Sequence, residues 1–147
     1  ALARAVGRGG RVYAIDVQED ILKHLKLNTH ERHRGMIETV WGDIERRGGT
    51  HLRDASLDVA IVANVFFQVE NRDGLVDEIK RVLKPGGVLA VIDWAGSYGG
   101  MGPVPEQVVP ASEAEAFFTR AGFEKVKNMQ VGAHHYGILF RVSLPST

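Results

Sequence analysis

Residues 58–93 constrain this chain more than any other stretch. They begin with an apolar strand, Asp58-Val59-Ala60-Ile61-Val62-Ala63-Asn64, and continue into an amphipathic helix from residue 73 to residue 83. Lys84-Pro85-Gly86-Gly87 follows, and then a second apolar strand, Val88-Leu89-Ala90-Val91-Ile92-Asp93. The helix carries Leu75, Val76, Ile79, Val82 and Leu83 in one stripe, suited to packing on a sheet. Pro85 cannot continue a helix, and Gly86 or Gly87 can take the positive φ that ends one. A sharp break between a helix and a wholly apolar strand is what a parallel α/β crossover needs.

The same alternation runs through the rest of the chain. Residues 1–6 read as the last turns of a helix, closed by Gly7-Arg8-Gly9-Gly10. Arg11-Val12-Tyr13-Ala14-Ile15-Asp16-Val17 is a strand with Asp16 at its tip. Residues 18–32 are helical, with Ile21, Leu22 and Leu25 on one face, and residues 36–41 form a strand ending at Gly42-Asp43. Residues 46–55 are polar and read as a loop. Residues 96–110, with four glycines and three prolines, read as a mobile connection of the kind that covers a binding site. Ser112-Glu113-Ala114-Glu115 has the capping-box pattern and opens a helix that buries Phe117, Phe118 and Ala121 and stops at Gly122. Two last strands, near residues 124–131 and 136–142, pair as an antiparallel hairpin. The prediction is one α/β domain over residues 1–147, Rossmann-like and doubly wound. Its sheet is mostly parallel and covered on both faces, with an antiparallel C-terminal hairpin.

Lys plus Arg balance Asp plus Glu at 18 each, so no global field draws the chain to nucleic acid or to an acidic membrane. Without cysteine there is no disulfide, no thiolate metal site and no cysteine nucleophile. The apolar runs are strand-length, short of the ~20 residues a membrane helix requires. The N-terminus lacks the plan of a signal peptide. These features lead us to expect a cytoplasmic protein that acts on a small molecule.

Strand–Asp16, strand–Gly42-Asp43, residues 58–64 and Leu83-Lys84-Pro85-Gly86-Gly87-Val88-Leu89, in that order, resemble class I S-adenosylmethionine-dependent methyltransferases. The likeness is nearest to the type 11 and 25 domains, a group that includes quinone-biosynthesis C-methyltransferases. Asp93-Trp94, Met101-Gly102-Pro103 and a helix ending Ala121-Gly122-Phe123 fit the same group. One departure is large. The family's first strand and its glycine-rich loop, which cradles the methionine part of the cofactor, would immediately precede Ala1. Gly7-Arg8-Gly9-Gly10 follows a helix and precedes a strand, so it is no replacement. That first strand sits in the middle of the family's sheet, between the strands here ending at Asp16 and starting at Asp58. Without it the two neighbours have unpaired edges or close directly on each other, and unpaired buried backbone groups cost roughly 1–3 kcal/mol each. The chain is expected to be an N-terminally truncated piece of a longer product, unless a neighbouring molecule or a repacked strand fills the slot.

The resemblance implies S-adenosyl-L-methionine as cofactor. Asp16 would accept from the ribose hydroxyls, or else it is a helix-start charge favoured by the dipole. Asp43 would accept from the adenine amine, with Val17 and Ile44 against the ring and Gly42 allowing close approach; otherwise it is a turn aspartate. Trp41 reads as a core or rim aromatic. Asn64 would lie beside the reactive methyl. Phe66 and Phe67 line an acceptor pocket or belong to the core, and Asp93 and Trp94 border that pocket. Phe66-Phe67-Gln68 stands where related proteins often carry histidine, so no catalytic base is assigned. His134-His135 reads as a hairpin turn with two exposed imidazoles and not as a metal site, because adjacent strand residues point to opposite faces. His30, Arg32, His33 and Arg34 read as the solvated end of a helix. The rival readings are a nicotinamide-dependent oxidoreductase fragment and a non-catalytic remnant that acts as a binding module.

Overall fold

The predicted crossover is present in the computed structural model, which describes residues 1–144, as β3 (Leu57–Ala63), α4 (Arg72–Val82) and β4 (Leu83–Trp94). β3 and β4 run parallel, with Val59 opposite Val88 and Ala63 opposite Ile92. The break differs in detail from the expectation. α4 ends at Val82, and Leu83 is already extended and opposite Leu57. Lys84-Pro85-Gly86-Gly87 then bulges from the ladder, with Gly86 at a left-handed φ of 75°. Buried Leu83 anchors the strand ahead of the turn, and Pro85, lacking an N–H, sits in the bulge.

β4 pairs antiparallel with β6 (His135–Val142), and β6 pairs antiparallel with β5 (Phe123–Met129), giving the order β3-β4-β6-β5. α4 and α5 (Ala111–Arg120) pack on one face of this sheet. Leu75, Ile79 and Phe118 meet Leu89, Val91, Ile138 and Phe140 in a single core. Leu89 lies opposite Phe140 and Val91 opposite Ile138, so all four side chains project to that face. α5 does not use the expected capping box. It starts at Ala111 behind Pro110, Ser112 falls in its first turn, and Glu113 pairs with Arg72 at 3.0 Å. Cover on both faces is not found over β3, where Val59 and Ile61 are 50% and 42% exposed.

β1 (Val12–Asp16) and β2 (Ile37–Trp41) lie parallel in a sheet of their own. β1 shares no ladder with β3, so the unpaired-edge alternative holds and the sheet is in two pieces. α1 (Leu2–Val6) and α2 (Glu19–Asn28) accompany the smaller piece. The helix expected through residue 32 breaks at Thr29, whose hydroxyl bonds back to the Leu25 carbonyl at 2.7 Å. His30 then caps a separate turn, α3 (Glu31–Arg34), which holds the basic cluster. Residues 96–110 make several contacts of their own. Tyr98 bridges Met101, Pro103 and Val109 are buried, and Gly102 lies against the Trp94 ring.

Segment 42–56 joins the two pieces by gripping α4. Glu78, only 1% exposed, accepts from the Gly48 N–H at 2.6 Å, the Thr50 N–H at 3.1 Å and the Thr50 hydroxyl at 2.6 Å. Arg81 donates to the same carboxylate through Nη2 at 2.6 Å and Nε at 2.9 Å, and to the Leu52 carbonyl at 2.7 Å. Burial alone would raise the Glu78 pKa, but the bonds from Arg81, Thr50 and Gly48 outweigh it and hold the carboxyl at about 2. A depressed carboxyl pKa stabilises the fold above the ordinary value of 4.5, and that stability is lost as pH falls towards 2. It amounts to roughly 3 kcal/mol. The unfolding free energy is therefore expected to drop by about that much across this acid range, and Glu78→Gln should flatten most of the drop. An unchanged acid limb in the variant's denaturant titrations would contradict the assignment.

Candidate active site

Asp16 closes β1 opposite Trp41, and the next residue along β2, Gly42, donates its N–H to the Asp16 carbonyl at 3.1 Å. Asp16 and Asp43 therefore leave neighbouring parallel strands at the same, carboxyl end. Each carboxylate spends Oδ1 on its own turn: Asp16 accepts from the Gln18 N–H at 2.8 Å and Asp43 from the Glu45 N–H at 2.9 Å. Neither Oδ2 has a hydrogen-bond partner among the described residues. The turn role and a ligand role are thus compatible, one oxygen for each.

The surroundings sort the neighbouring residues. Val17 is 58% exposed beside Asp16, while Ile44 packs against the core behind Asp43. Trp41 stands on the rim, its indole N–H donating to the Val17 carbonyl at 2.9 Å. Gly42 is required by the chain's own packing, because a Cβ there would run into the Gly49 carbonyl.

On the other piece, Asn64 follows β3 with a left-handed φ of 57° and bonds the Ile92 carbonyl at 2.9 Å, leaving its side chain exposed. Phe66 does not line a pocket. It is fully buried between Phe117 and Phe118, with the Arg72 guanidinium 4.6 Å from its ring centre. Phe67 is half-buried at the margin of the same core. Asp93 is 1% exposed, and both its oxygens are used, Oδ2 by the Phe67 N–H at 2.9 Å and Oδ1 by the Trp94 N–H at 2.8 Å. Burial raises its pKa, against the pull of those N–H groups and of His135. Asp93 thereby fixes the short helical turn Phe66–Gln68 that follows Asn64.

Two residues of interest escaped the sequence reading. Tyr136 lies opposite Asp93, and His135 lies opposite Trp94 with the two rings 4.3 Å apart. His134 is exposed as expected, but His135 is not: its Nε2 is buried without a partner among the described residues, as is the Tyr136 hydroxyl. Burial pushes the Tyr136 pKa upward, and Asp93 and Glu113 add to the shift. The usable signal was the alternation of β6, which sends His135 and Tyr136 to opposite faces, but reading it requires the β4–β6 register.

Chemically, the tips of β1 and β2 offer two acceptor-only groups, each with an open oxygen and Val17 alongside. That set matches the donors of a nucleoside: hydroxyls at Asp16, an amine at Asp43 and an apolar ring at Val17. The residues present fit the nucleoside half of S-adenosylmethionine.

A family model described as a methyltransferase domain matches residues 1–91. The ubiquinone/menaquinone biosynthesis C-methyltransferase of Hydrogenovibrio crunogenus is 32% identical over 96 residues, 65% of this chain and 37% of that protein. An uncharacterised methyltransferase of Mycobacterium sp. (strain KMS) is 33% identical over 102 residues, 67% of this chain and 40% of that protein. The match thus spans about two fifths of the length of these curated relatives. Among solved structures, a SAM-dependent methyltransferase from Aquifex aeolicus superposes with a TM-score of 0.84 at 28% identity, covering 96% of this chain and 73% of that one. The [4+2]-cyclase SpnF superposes at 0.77 with 17% identity, covering 98% of this chain and 70% of that one, and shares the fold alone.

An unsatisfied buried hydroxyl costs about 1–3 kcal/mol, so removing it should not weaken the fold. Tyr136→Phe is expected to melt at or above the native temperature in thermal denaturation. A loss beyond about 1 kcal/mol would mean that the hydroxyl has a partner.

Proposed function

This chain belongs to the methyltransferase-domain family, and from that premise we propose that it carries out S-adenosylmethionine-dependent methyl transfer to a small-molecule acceptor. The observation that supports this reading most is the pair of carboxylates at adjacent strand tips, each with one oxygen left over. Asp16 takes the ribose hydroxyls and Asp43 the adenine amine. Val17 lies on the ring, Gly42 and Ile44 shape the floor, and Asn64 meets the amino-acid end. When bound, the cofactor supplies a methyl on a sulfonium that a nucleophile displaces in line, leaving a neutral thioether. The chain's own residues align the partners and exclude water, and such alignment can contribute ~7–11 kcal/mol.

Phe67, Asp93 and Trp94 border the acceptor. With both oxygens held by backbone N–H groups, Asp93 orients the wall of the pocket. No general base is assigned. Balanced charge favours a small acceptor over a nucleic acid, and the cytoplasm is the location this reading takes. No described helix is long and apolar enough to cross a membrane. On this reading residues 1–147 form one methyltransferase-like domain.

Calorimetric titration tests the reading. The native chain is expected to bind S-adenosylhomocysteine and not NADH. Asp16→Ala and Asp43→Ala should each weaken the former by roughly 10- to 100-fold, the worth of a hydrogen bond to a charged group. Failure of the native chain to bind, or unchanged affinity in both variants, would overturn it.

A further inference from the structure

We infer that Glu78, which lies on α4 away from the tips of β1 and β2, positions Asp43 for the cofactor by clamping the loop that carries it. The inference rests on the cofactor reading above. Glu78 grips Gly48 and Thr50 through three hydrogen bonds, at 2.6, 3.1 and 2.6 Å. The residue between them, Gly49, accepts the Asp43 N–H at 3.1 Å and donates its own N–H to the Arg46 carbonyl at 2.8 Å. Arg46 in turn donates to the Asp43 carbonyl at 3.3 Å. A Cβ on Gly49 would run into that same Asp43 carbonyl. From the Glu78 carboxylate to the Asp43 backbone the path is a tight backbone loop, with no flexible side chain in between.

The other end of α4 holds the loop too. The Glu45 carboxylate accepts the Asn71 N–H at 2.6 Å and the Glu70 N–H at 3.1 Å, and the Asn71 amide donates to the Glu45 carbonyl at 3.1 Å. Asp43 thus projects from a segment fastened at both ends of one helix. Arg81 makes the arrangement tenable by neutralising Glu78 and reaching the Leu52 carbonyl. A buried ion pair is weak support for stability in itself, because desolvation offsets much of its attraction. What this one supplies is a fixed place for a neighbouring carboxylate, and small misplacements of a binding group are costly.

A double-mutant cycle on S-adenosylhomocysteine affinity separates positioning from a merely structural role. Native chain, Asp43→Ala, Glu78→Gln and the double variant are titrated where circular dichroism shows each folded. Glu78→Gln is expected to weaken binding about tenfold, below the ~100-fold that a 1 Å misplacement can cost. In the Asp43→Ala background it should cost almost nothing more. Penalties that multiply in full, or a folded Glu78→Gln chain with native affinity, overturn the inference. Should Glu78→Gln not fold, Thr50→Val removes a single bond of the clamp and is expected to show the same coupling with Asp43. Hydrogen exchange gives a readout independent of ligand. The Asp43 and Thr50 amides should lose protection in the clamp variant while those of β4 keep theirs, and unchanged protection at Asp43 overturns the clamp even if the native chain binds no S-adenosylhomocysteine.

Discussion

A carboxylate taken out of water is expensive unless every lone pair is answered, and Glu78 is answered by Arg81, Thr50 and Gly48. That concentration of donors fastens a molecule whose sheet is discontinuous. Between β1 and β3 there is no ladder, so the backbone pairing that normally carries order across a parallel sheet stops at that gap. The two pieces are linked instead through one helix, by Glu78 and Arg81 near its end, Asn71 at its cap and the backbone groups beside them. The relation between the tips of β1 and β2 and the tips of β3 and β4 therefore depends in large part on polar contacts, beside the packing of Ile44 on the core. Such contacts respond to pH and to single substitutions in a way that a continuous ladder would not.

Three aspartates stand at the ends of strands, and the structure distinguishes them by what their second oxygen does. Asp16 and Asp43 each close a local turn with one oxygen and keep the other free, whereas Asp93 has both oxygens taken and is buried. Position at a strand tip is thus insufficient to assign a ligand role. The first two keep an acceptor oxygen open to a ligand, and the third does not. The turn bonds at Asp16 and Asp43 also hold each side chain in one rotamer, so less freedom is lost when a ligand arrives.

The crossover was legible because its signals are local: apolar runs, a stripe along a helix, and Pro85-Gly86-Gly87. The break at Thr29 was not, since a hydroxyl returning to the Leu25 carbonyl competes with helix continuation without altering the apolar pattern. Glu78 reads in sequence as an ordinary polar position beside Arg81, a surface pair one turn apart. Its burial comes from a polar loop some thirty residues upstream, folded onto the helix. His135 and Tyr136 were hidden for a related reason. Their environments are set by antiparallel pairing with Trp94 and Asp93, about forty residues away, and no local pattern encodes that register. The open second face at Val59 and Ile61 was equally out of reach, because an apolar strand looks the same whether or not something covers it.

The distribution of free negative charge bears on chemistry as well as on binding. A fold shared with a cyclase does not determine a reaction, so the argument has to come from the site. In methyl transfer from a sulfonium, positive charge on sulfur falls as the reaction proceeds. A free carboxylate beside the sulfur would therefore favour the ground state over the transition state. Asp16 and Asp43, each with an open oxygen, lie on the tips of β1 and β2, where the proposed reading puts the nucleoside. At the end of β4, Asp93 is turned into backbone N–H groups and shielded by burial. On the proposed reading, attraction is exerted where the cofactor is held and withheld where its charge disappears, a partition that favours turnover over affinity alone.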